Sequence, residues 1–115
     1  MKEEKMFNPM INYLKMHGYN ILEEHRAHEH GTDIIAEKNN RKLYLELKGD
    51  STNPDVDFGT LIYQIMKNFN LTADAEYWLG ISEKYEKYAI RCKQPLEKLG
   101  IRVHTVSESD VKLFF

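Results

Sequence analysis

A mixed α/β domain is the fold class this sequence predicts, and three features predict it. Apolar residues recur at helical spacing in separate segments of the chain. Between and after those segments lie short runs that alternate apolar with polar residues, as half-buried strands do. Gly, Pro and Asn punctuate the joints between the two patterns.

The chain opens with a predicted helix over residues 3–17, where Met6, Met10, Tyr13, Leu14 and His17 share one face. Pro9 falls inside this pattern. Proline lacks an N–H and crowds the preceding turn, so an irregular first turn or a later start is expected. Gly18 is placed to cap the helix. Strands are predicted over 19–26 and 32–38, joined by "HEHG", and a third over 41–48 after the turn Asn39-Asn40. In that third strand Leu43, Leu45 and Leu47 alternate with Tyr44, Glu46 and Lys48, so one face is apolar and the other carries charge. Residues 50–57 read as a polar loop containing Pro54. A second helix over 58–70 buries Leu61, Ile62, Ile65, Met66 and Phe69. Residues 76–82 form a fourth strand with Tyr77, Trp78 and Leu79 as core. Residues 83–92 fit either a helix or an extended arm. "QPLEKLG" reads as a helix with Pro95 near its start and Gly100 at its end. The late strands are 101–107 and 111–115, the latter at a sheet edge. The predicted order is α-β-β-β-α-β-α-β-β.

With 115 residues the chain has the size of one domain, 1–115, and 42% apolar content supports one modest core. No apolar run is long enough to span a membrane, and "MKEEKMF" lacks the apolar stretch of a signal peptide. Cys92 is the single cysteine, which excludes a disulfide framework within one chain. These features predict a cytoplasmic, reducing home. A net charge of −2 gives no support to a general nucleic-acid binder, so any phosphate-binding surface must be a local patch or must recruit metal cations.

The hairpin turn sharpens the charged face. Asn tolerates the left-handed backbone that a tight two-residue hairpin needs. Such a turn pairs Lys38 with Arg41, and counting back along both strands brings Asp33 opposite Glu46 on one face. If Lys38–Arg41 is a hydrogen-bonded pair, Asp33–Glu46 is a non-hydrogen-bonded one, where side chains stand closest. Directly opposed carboxylates destabilise a sheet unless something compensates, and a hard divalent cation does so through its preference for carboxylate oxygen. Lys48 lies one pleat further on the same face, placed to hold a water or to stabilise charge on a phosphate. A one-residue slip of the turn would put the carboxylates on opposite faces.

"GTDIIA" (31–36) and "LYLELK" (43–48), together with the following "FGTLIYQIMKNF", resemble the PD-(D/E)xK nuclease superfamily, whose fold is restriction-endonuclease-like. The opening helix leading into Gly18-Tyr19 and a strand is similar to that of small members, and the likeness spans roughly residues 3–82. The resemblance implies a mixed sheet flanked by helices. It also implies a metal-dependent nuclease, an endonuclease-like hydrolase of phosphodiester bonds, with DNA as the expected substrate. Asp33, Glu46 and the Leu47 carbonyl would bind Mg²⁺ or Mn²⁺. Lys48 would orient the attacking water, with Gln64 in support. Glu3 or Glu24 would supply the extra acidic residue that some members use. The family's leading proline is replaced by Thr32. So small a nuclease would act as a homodimer or with a partner subunit.

Other readings follow from the same residues. Glu-x-Lys recurs at Glu3/Lys5, so the triplet alone is also that of a solvated ion-paired face. A non-catalytic nucleic-acid-binding or assembly subunit of the same fold suits the acidic balance. His25, His28 and His30, close to Asp33, read as solvated or phosphate-contacting residues, with a Zn²⁺ or Ni²⁺ site as the alternative. Lys38, Arg41 and Lys42 read as a solvated hairpin tip. Asp50, Asp55 and Asp57 would repel DNA if they lay over the site.

Overall fold

The computed structural model describes residues 1–26, 30–71 and 74–115. A 3-10 turn over Glu3–Met6 leads into helix α1 (Phe7–Met16), so the opening helix does begin irregularly. It ends where the sequence places its cap. Gly18 adopts φ +86°, its N–H donates to the Lys15 carbonyl, and the Tyr19 N–H donates to the Leu14 carbonyl. This pair of bonds satisfies carbonyls the helix would otherwise leave bare, in the Schellman arrangement.

Strands β1 (Asn20–Glu24), β2 (Ile34–Lys38) and β3 (Arg41–Lys48) form an antiparallel meander. The Asn39-Asn40 turn has φ of 54° and 64°, the left-handed pair of a type I′ hairpin. Lys38 pairs with Arg41, and the register runs in step to Ile34 opposite Leu45. Helix α2 (Pro54–Lys67) then crosses to β4 (Ala75–Ile81), which pairs parallel to β3. It starts four residues before the expected boundary, because Pro54 is a helix-initiating residue and not a loop residue. Asp55 and Asp57 therefore stand in its first turn, where carboxylates favour the helix dipole. The undecided segment is helical: a 3-10 turn, α3 (Glu86–Arg91) and α4 (Lys93–Lys98) carry the chain to β5 (Ile101–Val106), parallel to β4. Antiparallel β6 (Val111–Leu113) closes the sheet, whose order is β1-β2-β3-β4-β5-β6.

Two cores follow from this sheet. On one face α1 packs Met6, Phe7, Met10 and Leu14 against Leu43, Leu45, Leu47, Ile34 and Trp78. On the other, α2, α3 and α4 pack Leu61, Ile65, Tyr85 and Leu96 against Tyr77, Leu79, Ile81 and Val103. The alternation along β3 divides its side chains between the two layers. Its three leucines serve the α1 core. Tyr44, Glu46 and Lys48 face the α2 layer, where the sheet's last residues are not fully covered.

Candidate active site

The β2–β3 hairpin delivers Asp33 and Glu46 to the same spot. Regular pairing stops at Ile34–Leu45, and Asp33 lies one step beyond. The two carboxylates then take over the ladder's hydrogen bonds. The Leu47 N–H donates to Asp33 Oδ2 at 2.8 Å, and the Asp33 N–H donates to Glu46 Oε1 at 2.9 Å. Each carboxylate thus spends one oxygen on the main chain and keeps the other without a hydrogen bond to a described residue. In an antiparallel strand a residue's N–H and C=O point to the same side, so the Leu47 carbonyl is directed toward Asp33 as its N–H is.

The electrostatics of the pair are those of two charges wanting a counter-charge. Glu46 is buried, with 4% exposure, and Asp33 is half-buried. Burial pushes the Asp33 carboxyl up from its ordinary 3.8 to about 7, against the Leu47 N–H, and the charges of Glu46 and Glu3 push the same way. Burial also raises Glu46, opposed by the Asp33 N–H and then by the Lys67 ammonium. The oxygens left over belong to hard carboxylate and carbonyl donors, which fit Mg²⁺ or Mn²⁺ in preference to softer metals.

Lys48 stands at the carboxyl end of β3, and its Nζ is 3.4 Å from Glu3 Oε1. Glu3 arrives there because the N-terminal segment lies tightly along the end of β3. Gly49 permits this approach, since a Cβ on it would come within 2.3 Å of the Glu3 nitrogen. The Asp50 N–H donates to the Met1 carbonyl at 2.8 Å, and the buried Tyr85 hydroxyl donates to the Gly49 carbonyl at 2.8 Å. Of the two further acidic candidates, Glu3 lies against Lys48 and Glu24 is drawn elsewhere. Glu24 pairs at 2.8 Å with Arg26, whose guanidinium lies over the Phe7 ring of α1 and bonds Asn8.

Gln64 of α2 is half-buried, and its side chain makes no hydrogen bond to Asp33, Glu46 or Lys48 among the described residues. One turn later on α2 stands Lys67, whose charge lowers the Glu46 carboxyl and which the sequence reading missed. The only signal was its three-residue spacing from Gln64, which puts both on one helix face.

The histidines do not assemble as a soft-metal site among the described residues. The His25 imidazole bonds Glu23 Oε1 at 3.0 Å, His30 is exposed, and His28 lies outside the described residues. No group of three or more His, Cys, Asp or Glu side chains poised to hold a metal occurs among the described residues. Glu3, leaning on Lys48, therefore does not complete a three-carboxylate cage with Asp33 and Glu46.

The carboxyl end of parallel strands is where open α/β sheets bind ligands, and here it carries a carboxylate pair and a lysine. The class these features define is a restriction-endonuclease-like α/β domain, a six-stranded mixed sheet flanked by helices. Two solved structures share it. One is an XisH family protein from Nostoc punctiforme PCC 73102, 14% identical over 93% of this chain and 95% of that one, with a TM-score of 0.64. The other is an fdxN element excision controlling factor protein from Anabaena variabilis, 15% identical over 96% and 98%, also with a TM-score of 0.64. No protein-family model matches the sequence, and no curated protein matches it. At this identity the likeness is one of fold. Among the described residues no helix is long and apolar enough to cross a membrane.

Proposed function

We propose that this chain is a metal-dependent nuclease that hydrolyses phosphodiester bonds in nucleic acid, with DNA as its substrate. The observation that carries this is the opposed carboxylate pair, Glu46 buried and Asp33 half-buried, with Lys48 one pleat away. Asp33, Glu46 and the Leu47 carbonyl would hold Mg²⁺ or Mn²⁺, which supplies Lewis-acid charge and lowers the pKa of a bound water. Lys48 orients the attacking water and offsets charge on the phosphate. Glu3 sets the position of the Lys48 ammonium, and Lys67 adds positive charge on the α2 side. Gln64 supports the site from the same helix face. A second copy or partner subunit would supply the remaining grip on duplex DNA. The fold neighbour described as an excision controlling factor is consistent with work on nucleic acid.

The test is cleavage of plasmid and oligonucleotide DNA with Mn²⁺ or Mg²⁺ by the wild type, Asp33→Ala and Lys48→Ala. Cleavage by the wild type alone is expected. Equal activity in wild type and Asp33→Ala defeats the proposal.

A second reading is favoured by the pairing of Lys48 with Glu3 and by the fold neighbour that is an excision controlling factor: the same fold serves as a non-catalytic nucleic-acid-binding or assembly subunit. Mn²⁺ titration by calorimetry separates the two, because a retired site binds no Mn²⁺ while DNA binding persists.

A further inference from the structure

The charged face of β3 does not end at Glu46. Tyr44 and Lys42 continue it toward the hairpin, and there a cavity of about 420 Å³ opens between the hairpin turn and the end of α2. Asn40, Lys42, Tyr44, Asn68, Asn70 and Asp74 line it. The chemistry of this lining is unlike that of a core defect. Three carboxamides bring donor and acceptor groups of the kind that read base edges, with the Asn68 Nδ2 also donating to the Gln64 carbonyl at 3.5 Å. Tyr44 is half-buried and lies nearly parallel to Tyr77, with centroids 5.6 Å apart and 18° between planes. Tyr77 is itself fixed by Phe69 at 4.6 Å and by the Asn70 N–H donating to its hydroxyl at 3.2 Å. The aromatic wall is therefore rigid. Asp74 is the one anion, and Arg41 holds it at 2.9 Å, whereas Lys42 has no ion-pair partner among the described residues. With a strand rise of about 3.3 Å per residue, the cavity lies roughly 7–13 Å from Glu46 along one strand face. That is within a few nucleotides of a phosphate held there.

We propose that this cavity is a nucleobase subsite. It would take one unstacked base of the substrate strand, to one side of the scissile phosphate, against Tyr44 and the Asn40, Asn68 and Asn70 amides, with Lys42 on the adjoining phosphate. The inference rests on the nuclease reading for its substrate and adds to it a preference for single-stranded or locally opened nucleic acid. Base–aromatic stacking tolerates any base, so the subsite favours an unpaired nucleotide over a particular sequence.

The test uses the full chain with single-stranded oligonucleotides in which one position at a time is abasic or carries 2-aminopurine. Asn68→Ala and Lys42→Ala are the primary variants, since both side chains are exposed and neither hydrogen-bonds Asp33 or Glu46 among the described residues. Tyr44→Leu is added with its melting temperature checked. Expected results are quenching of 2-aminopurine at one flanking position and a roughly tenfold affinity loss when that position is abasic. Asn68→Ala and Lys42→Ala should give the same loss. Hydrolysis of bis(p-nitrophenyl) phosphate, too short to reach the cavity, should be equal in wild type and in these variants. Uniform tolerance of abasic positions, or unchanged binding in all three variants, overturns the subsite. DNA cleavage with that result leaves the nuclease reading standing, while position-specific quenching without any cleavage leaves the subsite standing and removes the catalytic reading. Absence of oligonucleotide binding overturns the subsite as well.

Discussion

Replacing Asp33 by Asn should make the metal-free protein more stable while removing its capacity to hold a divalent cation. The folded chain raises the Asp33 carboxyl from an ordinary 3.8 to about 7, through burial first and then through the charges of Glu46 and Glu3. Because the folded value is the higher one, the folded chain holds the proton more tightly than the unfolded chain does. Stability without metal is therefore greatest below about pH 4, declines as the pH climbs from about 4 to about 7, and stays level above that. At 1.36 kcal/mol per pKa unit the full penalty is roughly 4 kcal/mol. A half-buried carboxyl keeps part of its hydration, so about 2 kcal/mol is expected to appear. Asparagine keeps an oxygen to accept the Leu47 N–H, so the bond that anchors the end of β3 survives the substitution. Urea unfolding in EDTA at pH 5 and pH 8 measures the effect. At pH 8 Asp33→Asn should exceed the wild type by about 2 kcal/mol, or roughly 8 °C in Tm for a domain of this size. At pH 5 the difference should narrow to roughly 1 kcal/mol, because the unfolded carboxyl is already ionised there, and the two should converge only below about pH 4. Mn²⁺ should raise the wild-type Tm at pH 8 and leave the variant unmoved, because a ligand stabilises only the state that binds it. A variant less stable than wild type at pH 8, with the same pH dependence, would refute the account of the carboxylate pair.

Further outcomes follow from the same geometry. Lys48→Ala should reduce DNA cleavage at least a hundredfold, the scale of a lost proton-positioning group. It should change stability little, since the Lys48–Glu3 pair is partly exposed; steady-state kinetics beside thermal melts check both. Gly49→Ala should cost about 1–3 kcal/mol by driving a methyl into the Glu3 backbone, and should lower activity by displacing the segment that positions Lys48. Asn40→Val, forced to φ 64°, should cost roughly 1–2 kcal/mol in chemical denaturation. Leu45→Ala empties a fully buried site of the α1 core and should cost about 2–5 kcal/mol in the same assay.

The most useful residues in the sequence were the least chemical ones. Asn39 and Asn40 accept a left-handed backbone that few residues tolerate, and that turn sets which residues of β2 and β3 face each other. Alternation along β3 separates its leucines from Glu46 and Lys48 for the same local reason. Pro54 and the residues around Cys92 misled the boundaries. The helix start at Pro54 is a local signal that the loop reading passed over, whereas the two short helices either side of Cys92 set Ala89 and Leu96 into a core shared with Tyr77, Leu79 and Val103, which lie elsewhere in the chain.

From the sequence alone came what neighbours along the chain decide: the helix and strand periods, the Gly18 cap, the hairpin register, and with it the meeting of Asp33 and Glu46. Only the tertiary structure decided what distant segments bring. Glu3 lies against Lys48 because Gly49 lets the N-terminal turn close on β3, while Arg26 draws Glu24 to α1. The Lys67 charge reaches Glu46 because α2 runs on one turn past Gln64 across the sheet. Periodicity and turn geometry act within a few residues and can be read in order. Contacts across forty residues depend on how the layers close, and no local pattern records that.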